Sequence, residues 1–116
     1  MIDPAEVFRF TQVEQDEASA SALWRAEADC PYFEGHFPGM PVLPAVGLLD
    51  GSLELLRALG HASPGGTLSL RKAKFTGMLT PGMEVRINVA HKPDRTDVLW
   101  TKAENGEALA AFTFPR

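Results

Sequence analysis

The chain has 116 residues, 45% hydrophobic and 22% charged, which fits one globular domain over residues 1–116 with its own core. Its net charge of −4 argues against broad nucleic-acid binding, which needs a basic surface to neutralise phosphates. A lone cysteine, Cys30, excludes an internal disulfide and a metal site of several thiolates.

The most apolar stretch, Val42 to Leu49, is broken by Pro44 and is too short to span a bilayer. The N-terminal residues include Asp3, Glu6 and Arg9 and carry no apolar export core. The expectation is a cytoplasmic protein with no membrane partner.

Val7 to Glu14 alternates as a strand, and Ala18 to Asp29 reads as a second, with alanines that also suit a helix. Pro31 to Leu43 holds three prolines and two glycines and must be irregular. Pro44 to Gly60 reads as the one clear helix, with proline tolerated in its first turn and Gly60 as its stop. Val46, Leu49, Leu53 and Leu56 recur at helical spacing, and Leu48, Leu55 and Leu59 widen the apolar surface. Such a helix should be wrapped by other elements.

An antiparallel meander is expected next. Thr67 to Leu79 is strand-like, but its apolar phase switches between Leu70 and Ala73, which suggests a bulge or bend. Pro81-Gly82 is a turn, and Glu84 to His91 alternates cleanly through Val85, Ile87 and Val89. Thr96 to Glu104 is a strand, and Asn105-Gly106 is a hairpin signal. Ala108, Ala110, Phe112 and Phe114 mark the inward face of the last strand. The class is therefore α+β: one long central helix covered by a curved antiparallel sheet of five to six strands.

The chemistry concentrates in the stretch Tyr32-Phe33-Glu34-Gly35-His36-Phe37-Pro38-Gly39-Met40-Pro41-Val42-Leu43-Pro44-Ala45-Val46, a proline-rich loop carrying a histidine directly into the helix. Backbone N–H groups at a helix start are unpaired and favour negative charge, so a carbonyl placed there would have a developing oxyanion stabilised. Asp50 is the only carboxylate in the first half of the helix, where an acid among leucines is costly without a task or a partner. Gly47 and Gly51 flank it on one face; each costs about 1 kcal/mol in a helix interior, so a sheet backbone or a substrate should approach closely there.

The run HFPGMPVLPAVGLLD resembles the signature of the 3-hydroxyacyl-acyl-carrier-protein dehydratases (FabA/FabZ type), whose typical form is HFPGxPxxPGVxxxE or D. The match covers His36, Phe37, Pro38, Gly39, Pro41, Pro44, Val46 and Asp50, with histidine and acid 14 positions apart. The aspartate form is similar to the ApeI-like, aryl-polyene-type branch and to the dehydratase-isomerase branch. Lys74-Phe75 and Pro81-Gly82 resemble the family's next strand and turn.

The resemblance implies a hotdog fold and dehydration of (3R)-3-hydroxyacyl thioesters, on acyl carrier protein or else coenzyme A, to trans-2-enoyl thioesters in fatty-acid or polyene-type biosynthesis. It implies His36 as the base, Asp50 as the acid that orients or protonates the leaving hydroxyl, and the Ala45 N–H as the donor to the thioester carbonyl. Phe37, Gly39, Pro44 and Val46 would line the substrate. No metal or organic cofactor is implied. The site would form across a homodimer, or a heterodimer with a second hotdog chain. Ala45 replaces the family's usual glycine; it keeps the N–H but would be strained if the backbone needed positive φ.

Other readings stand beside this one. A hotdog thioesterase would use an acid on the same helix but would not need His36. A catalytically silent subunit could bind acyl chains or support an active partner. Cys30 could pair with His36 as a nucleophile but reads more simply as a small buried hydrophobe. His61 reads as a loop residue and His91 as a strand-end residue. Arg71, Lys72 and Lys74 form either a docking patch for an acidic carrier protein or a solvated strand face.

Overall fold

The computed structural model describes residues 2–35, 39–61 and 70–115. Asp3 starts a short helix α1 (Pro4–Val7): its carboxylate accepts the Ala5 N–H at 3.0 Å, and Pro4 occupies the first turn. Val7 therefore ends a helix and does not begin the strand expected from residue 7. Strand β1 (Thr11–Gln15) starts later and is fully exposed. Its pairing with β2 (Ser19–Arg25) is broken by a register shift between Thr11 and Glu14, where Gln12 takes a φ of 47°. Asp16 closes the turn by accepting the backbone N–H groups of Ala18 and Ser19, which hold its carboxyl below the usual range.

A single 3₁₀ turn (Pro31–Phe33) follows β2 and buries Tyr32 and Phe33. Helix α2 (Ala45–Ala58) runs next, and Gly60 beyond it takes a φ of +84°, where a left-handed residue ends a helix without cost to glycine. Strands β3 (Lys72–Phe75), β4 (Glu84–His91), β5 (Arg95–Lys102) and β6 (Ala108–Pro115) complete one antiparallel sheet in the order β1-β2-β4-β5-β6-β3. Alternation of Val85, Ile87 and Val89, of Thr96, Val98 and Trp100, and of Ala110, Phe112 and Phe114 turns one face of the sheet inward. On β6 a register shift between Trp100 and Thr101 of its partner puts Leu109 inside and leaves Ala108 exposed, unlike the alternation read from the sequence.

The meander expected from residue 67 onward holds only for β4, β5 and β6. Strand β3 pairs with β6 across the sheet, and Thr67 to Ser69 lie outside the described residues, as does Leu68 in the expected phase switch. The segment after β3 crosses over to β4, and its backbone finds partners along the way. Thr76 and Gly77 N–H groups bond the Leu109 carbonyl, the Leu43 N–H bonds the Leu79 carbonyl, and the Gly82 N–H bonds the Ala26 carbonyl. These bonds satisfy a connection that no hairpin could make.

The core lies between α2 and the inward sheet face. The helix buries Gly47, Leu48, Gly51, Ser52, Leu55 and Leu56. The expected stripe is displaced: Val46 is 55% exposed, and Leu49 and Leu53 are only half-buried. Aromatic bulk from elsewhere fills the space. A β-carbon at Gly51 would stand 2.7 Å from Phe8 Cε1 and 2.8 Å from Trp100 Cη2. Side chains, and not a sheet backbone, are the protein groups that approach the helix glycines: Phe8 and Trp100 at Gly51, Leu43 and Tyr32 at Gly47. Ser52 Oγ, fully buried, donates to the Leu48 carbonyl and accepts the Trp100 indole N–H at 2.8 Å. No described helix is long and apolar enough to cross a membrane.

Candidate active site

The loop that holds the candidate histidine is anchored on both sides. Upstream, the 3₁₀ turn buries Tyr32 and Phe33; downstream, buried Leu43 is tied by its N–H to Leu79. Gly35 and Gly39 have φ values of +76° and +84°, backbone that side-chain-bearing residues rarely adopt. They bracket His36, Phe37 and Pro38, which lie outside the described residues. The catalytic assignment of His36 and the substrate-lining assignment of Phe37 therefore rest on sequence.

Pro44 caps α2 without a side-chain hydrogen bond, and Ala45 is its first residue. The Gly47 and Leu48 N–H groups turn back to the Pro44 carbonyl. The Ala45 N–H has no acceptor among the described residues, as expected at a helix start. Among the described residues Gln12 is the only non-glycine with positive φ, so Ala45 is unstrained and the methyl group does not disturb the backbone. Exposed Gly39, half-buried Pro44 and exposed Val46 lie along this approach to the helix.

Asp50 sits about 7.5 Å further along the axis than Ala45, at 1.5 Å per residue. It shares a face with Val46, one turn earlier. Its half-buried carboxylate has a partner that the sequence reading missed: the Tyr32 hydroxyl donates to Asp50 Oδ2 at 2.6 Å. Tyr32 is 3% exposed, and burial, followed by the Asp50 contact, pushes its phenol well above the ordinary range. Gly47 explains how the ring reaches: a β-carbon there would stand 3.2 Å from Tyr32 Cδ1 and 3.1 Å from Leu43. The ring lies against the helix one turn before the acid. A glycine three residues ahead of a helical carboxylate, with a tyrosine beside a proline upstream, was the available signal.

The remaining candidates separate from this site. Cys30 is 7% exposed, and burial raises its thiol, as suits a small core residue. His61 and His91 meet beyond the end of α2, with ring centroids 4.0 Å apart. Lys72 and Lys74 are exposed on β3, and Arg71 pairs loosely with Asp94 at 3.8 Å. Among the described residues no cluster of three or more histidine, cysteine or acidic side chains could hold a metal ion.

A model of the ApeI-like family, described as ApeI dehydratase, matches residues 12–112. The 3-hydroxyacyl-(acyl-carrier-protein) dehydratase FabZ of Methylobacterium radiotolerans is 31% identical over 107 residues, covering 84% of this chain and 67% of that protein. The FabZ of Pelotomaculum thermopropionicum is 35% identical over 81 residues, covering 65% of this chain and 58% of that protein. The chain thus spans about two-thirds or less of these curated relatives. Among solved structures, a chain of the dehydratase heterocomplex ApeI:P from Xenorhabdus doucetiae superposes with a TM-score of 0.78 at 20% identity, covering 92% of this chain and 95% of that one. The Escherichia coli PaaI protein from the phenylacetic acid degradation operon gives 0.65 at 12% identity, covering 97% and 85%. With a family match over most of its length and this sheet around one helix, the chain belongs to the ApeI-like dehydratase family and has the hotdog fold.

Proposed function

We propose that the chain dehydrates (3R)-3-hydroxyacyl thioesters, carried on acyl carrier protein, to trans-2-enoyl thioesters. The observation that carries this reading is Asp50: a half-buried carboxylate on the central helix, held by a tyrosine, at the motif's spacing of 14 positions from His36. The thioester carbonyl accepts the Ala45 N–H, which lowers the energy of the enolate-like state. His36 takes the C2 proton, the electron pair forms the C2–C3 double bond, and the C3–O bond breaks. Asp50 orients the departing hydroxyl, and the proton that His36 has taken passes to that hydroxyl, directly or through water, so that water leaves. The net change moves one proton from C2 to the hydroxyl, and the protein groups supply every step without a cofactor.

The working unit in this proposal is a dimer, with the histidine of one subunit facing the acid of the other. Large apolar side chains left exposed support it: Met40 before α2, Val46 on its first turn, Phe75 at the end of β3 and Met78 just beyond. Strand β3 is also a sheet edge open to pairing. Lys72 and Lys74 on that strand, with Arg71, give an acidic carrier protein a cationic surface to meet. A second reading follows the fold likeness to a heterocomplex chain: this chain pairs with a different hotdog subunit and supports that subunit's site.

The test is incubation of the purified protein with 3-hydroxyacyl carrier protein, read by loss of water in the mass spectrum and by enoyl absorbance. The wild type is expected to form enoyl product, and His36→Ala and Asp50→Asn each to fall by about 10²-fold or more. Normal dimers with no turnover on any chain length would sink the proposal and favour the supporting-subunit reading.

A further inference from the structure

We propose that Tyr32 is a positioning residue for Asp50: its hydroxyl holds one carboxylate oxygen so that the other faces the reacting hydroxyl. The inference deepens the dehydratase reading and rests on it. Aspartate has a short side chain, so a carboxylate on this helix can be aimed only through its two side-chain torsions. A bond of 2.6 Å to Oδ2 from a tyrosine that is itself 3% exposed restrains both. Among the described residues Oδ1 has no second partner. The donor is itself immobilised. The Tyr32 ring packs against Phe8 at a centroid distance of 5.7 Å and lies over Gly47, and its 3₁₀ turn is closed by the Phe33 N–H on the Cys30 carbonyl. Burial, with the Asp50 contact, favours the protonated phenol, so its O–H is in place to donate to the carboxylate.

Two measurements test this. Tyr32 is the only tyrosine in the chain, so alkaline difference absorbance reports its ionisation alone. Its titration is expected to move to lower pH in Asp50→Asn, which removes the facing anion; an unmoved titration would overturn the contact. Dehydration kinetics then test the role. Tyr32→Phe keeps the ring and is expected to lower kcat about tenfold, with KM within about twofold and the melting temperature held. In an Asp50→Asn background the same change is expected to have no further effect, because its route is gone. An inactive wild type overturns the dehydratase reading and this role together. An active wild type in which Tyr32→Phe costs the same in both backgrounds overturns the role of Tyr32 alone.

Discussion

Helix α2 turns Gly47, Leu48, Gly51, Ser52, Leu55 and Leu56 into the core and leaves Val46, Leu49, Asp50 and Leu53 exposed or half-buried. The inner face has smaller side chains than the outer one. It is small because Phe8, Tyr32 and Trp100 are large: the glycines and serine take up the shape of rings supplied by other segments. The outer face keeps its leucines, its valine and its acid. The difference teaches that burial on this helix follows fit as well as hydrophobicity: Gly51 and Ser52 are buried beside Leu55 and Leu56, while Val46 is exposed.

The comparison can be broken from either side. Asp50→Asn, on the outer face, should leave the melting temperature nearly unchanged while dehydration falls by about 10²-fold or more; a matching loss of stability would move Asp50 into the structural set. Gly51→Ala, on the inner face, should do the reverse. Its methyl group meets Phe8 and Trp100 below 3.0 Å, so despite better helix propensity the fold should lose about 1–3 kcal/mol in denaturant unfolding. Ser52→Ala strands the buried Trp100 N–H and should cost about 1–2 kcal/mol, visible in the same experiment. Val46→Lys should change the stability of the individual subunit least, by less than about 0.5 kcal/mol, yet should shift light-scattering mass from dimer towards monomer.

Some of this was legible in the sequence for plain physical reasons. Strand β4 has the predicted bounds because Val85, Ile87 and Val89 alternate without interruption. Helix α2 is shorter than expected only at its ends, since Pro44 and Gly60 punctuate it. The spacing of His36 and Asp50, and the glycine-bracketed loop, were visible as a motif. What stayed hidden depended on distant partners. The inner helix face could not be found by counting leucines, because Gly51 and Ser52 are buried by rings from residues 8 and 100. The β3–β6 pairing was invisible because a strand's local pattern does not name its neighbour. Tyr32 stood in the sequence only as part of the proline-rich loop run, because its ring packs into the core and its hydroxyl meets an acid 18 positions away.

The sheet order carries a consequence for how the chain assembles. Strand β3 precedes β4, β5 and β6 in sequence, yet among the described residues its one neighbour in the sheet is β6, Phe75 opposite Ala110 and Lys72 opposite Thr113. During synthesis the hairpins β1–β2 and β4–β5 can zip as soon as they emerge, while β3 must wait for the last strand. For that interval the segment with Phe75 and two lysines has no strand beside it. The final hairpin, β5–β6, is thus the step that closes the sheet around its helix.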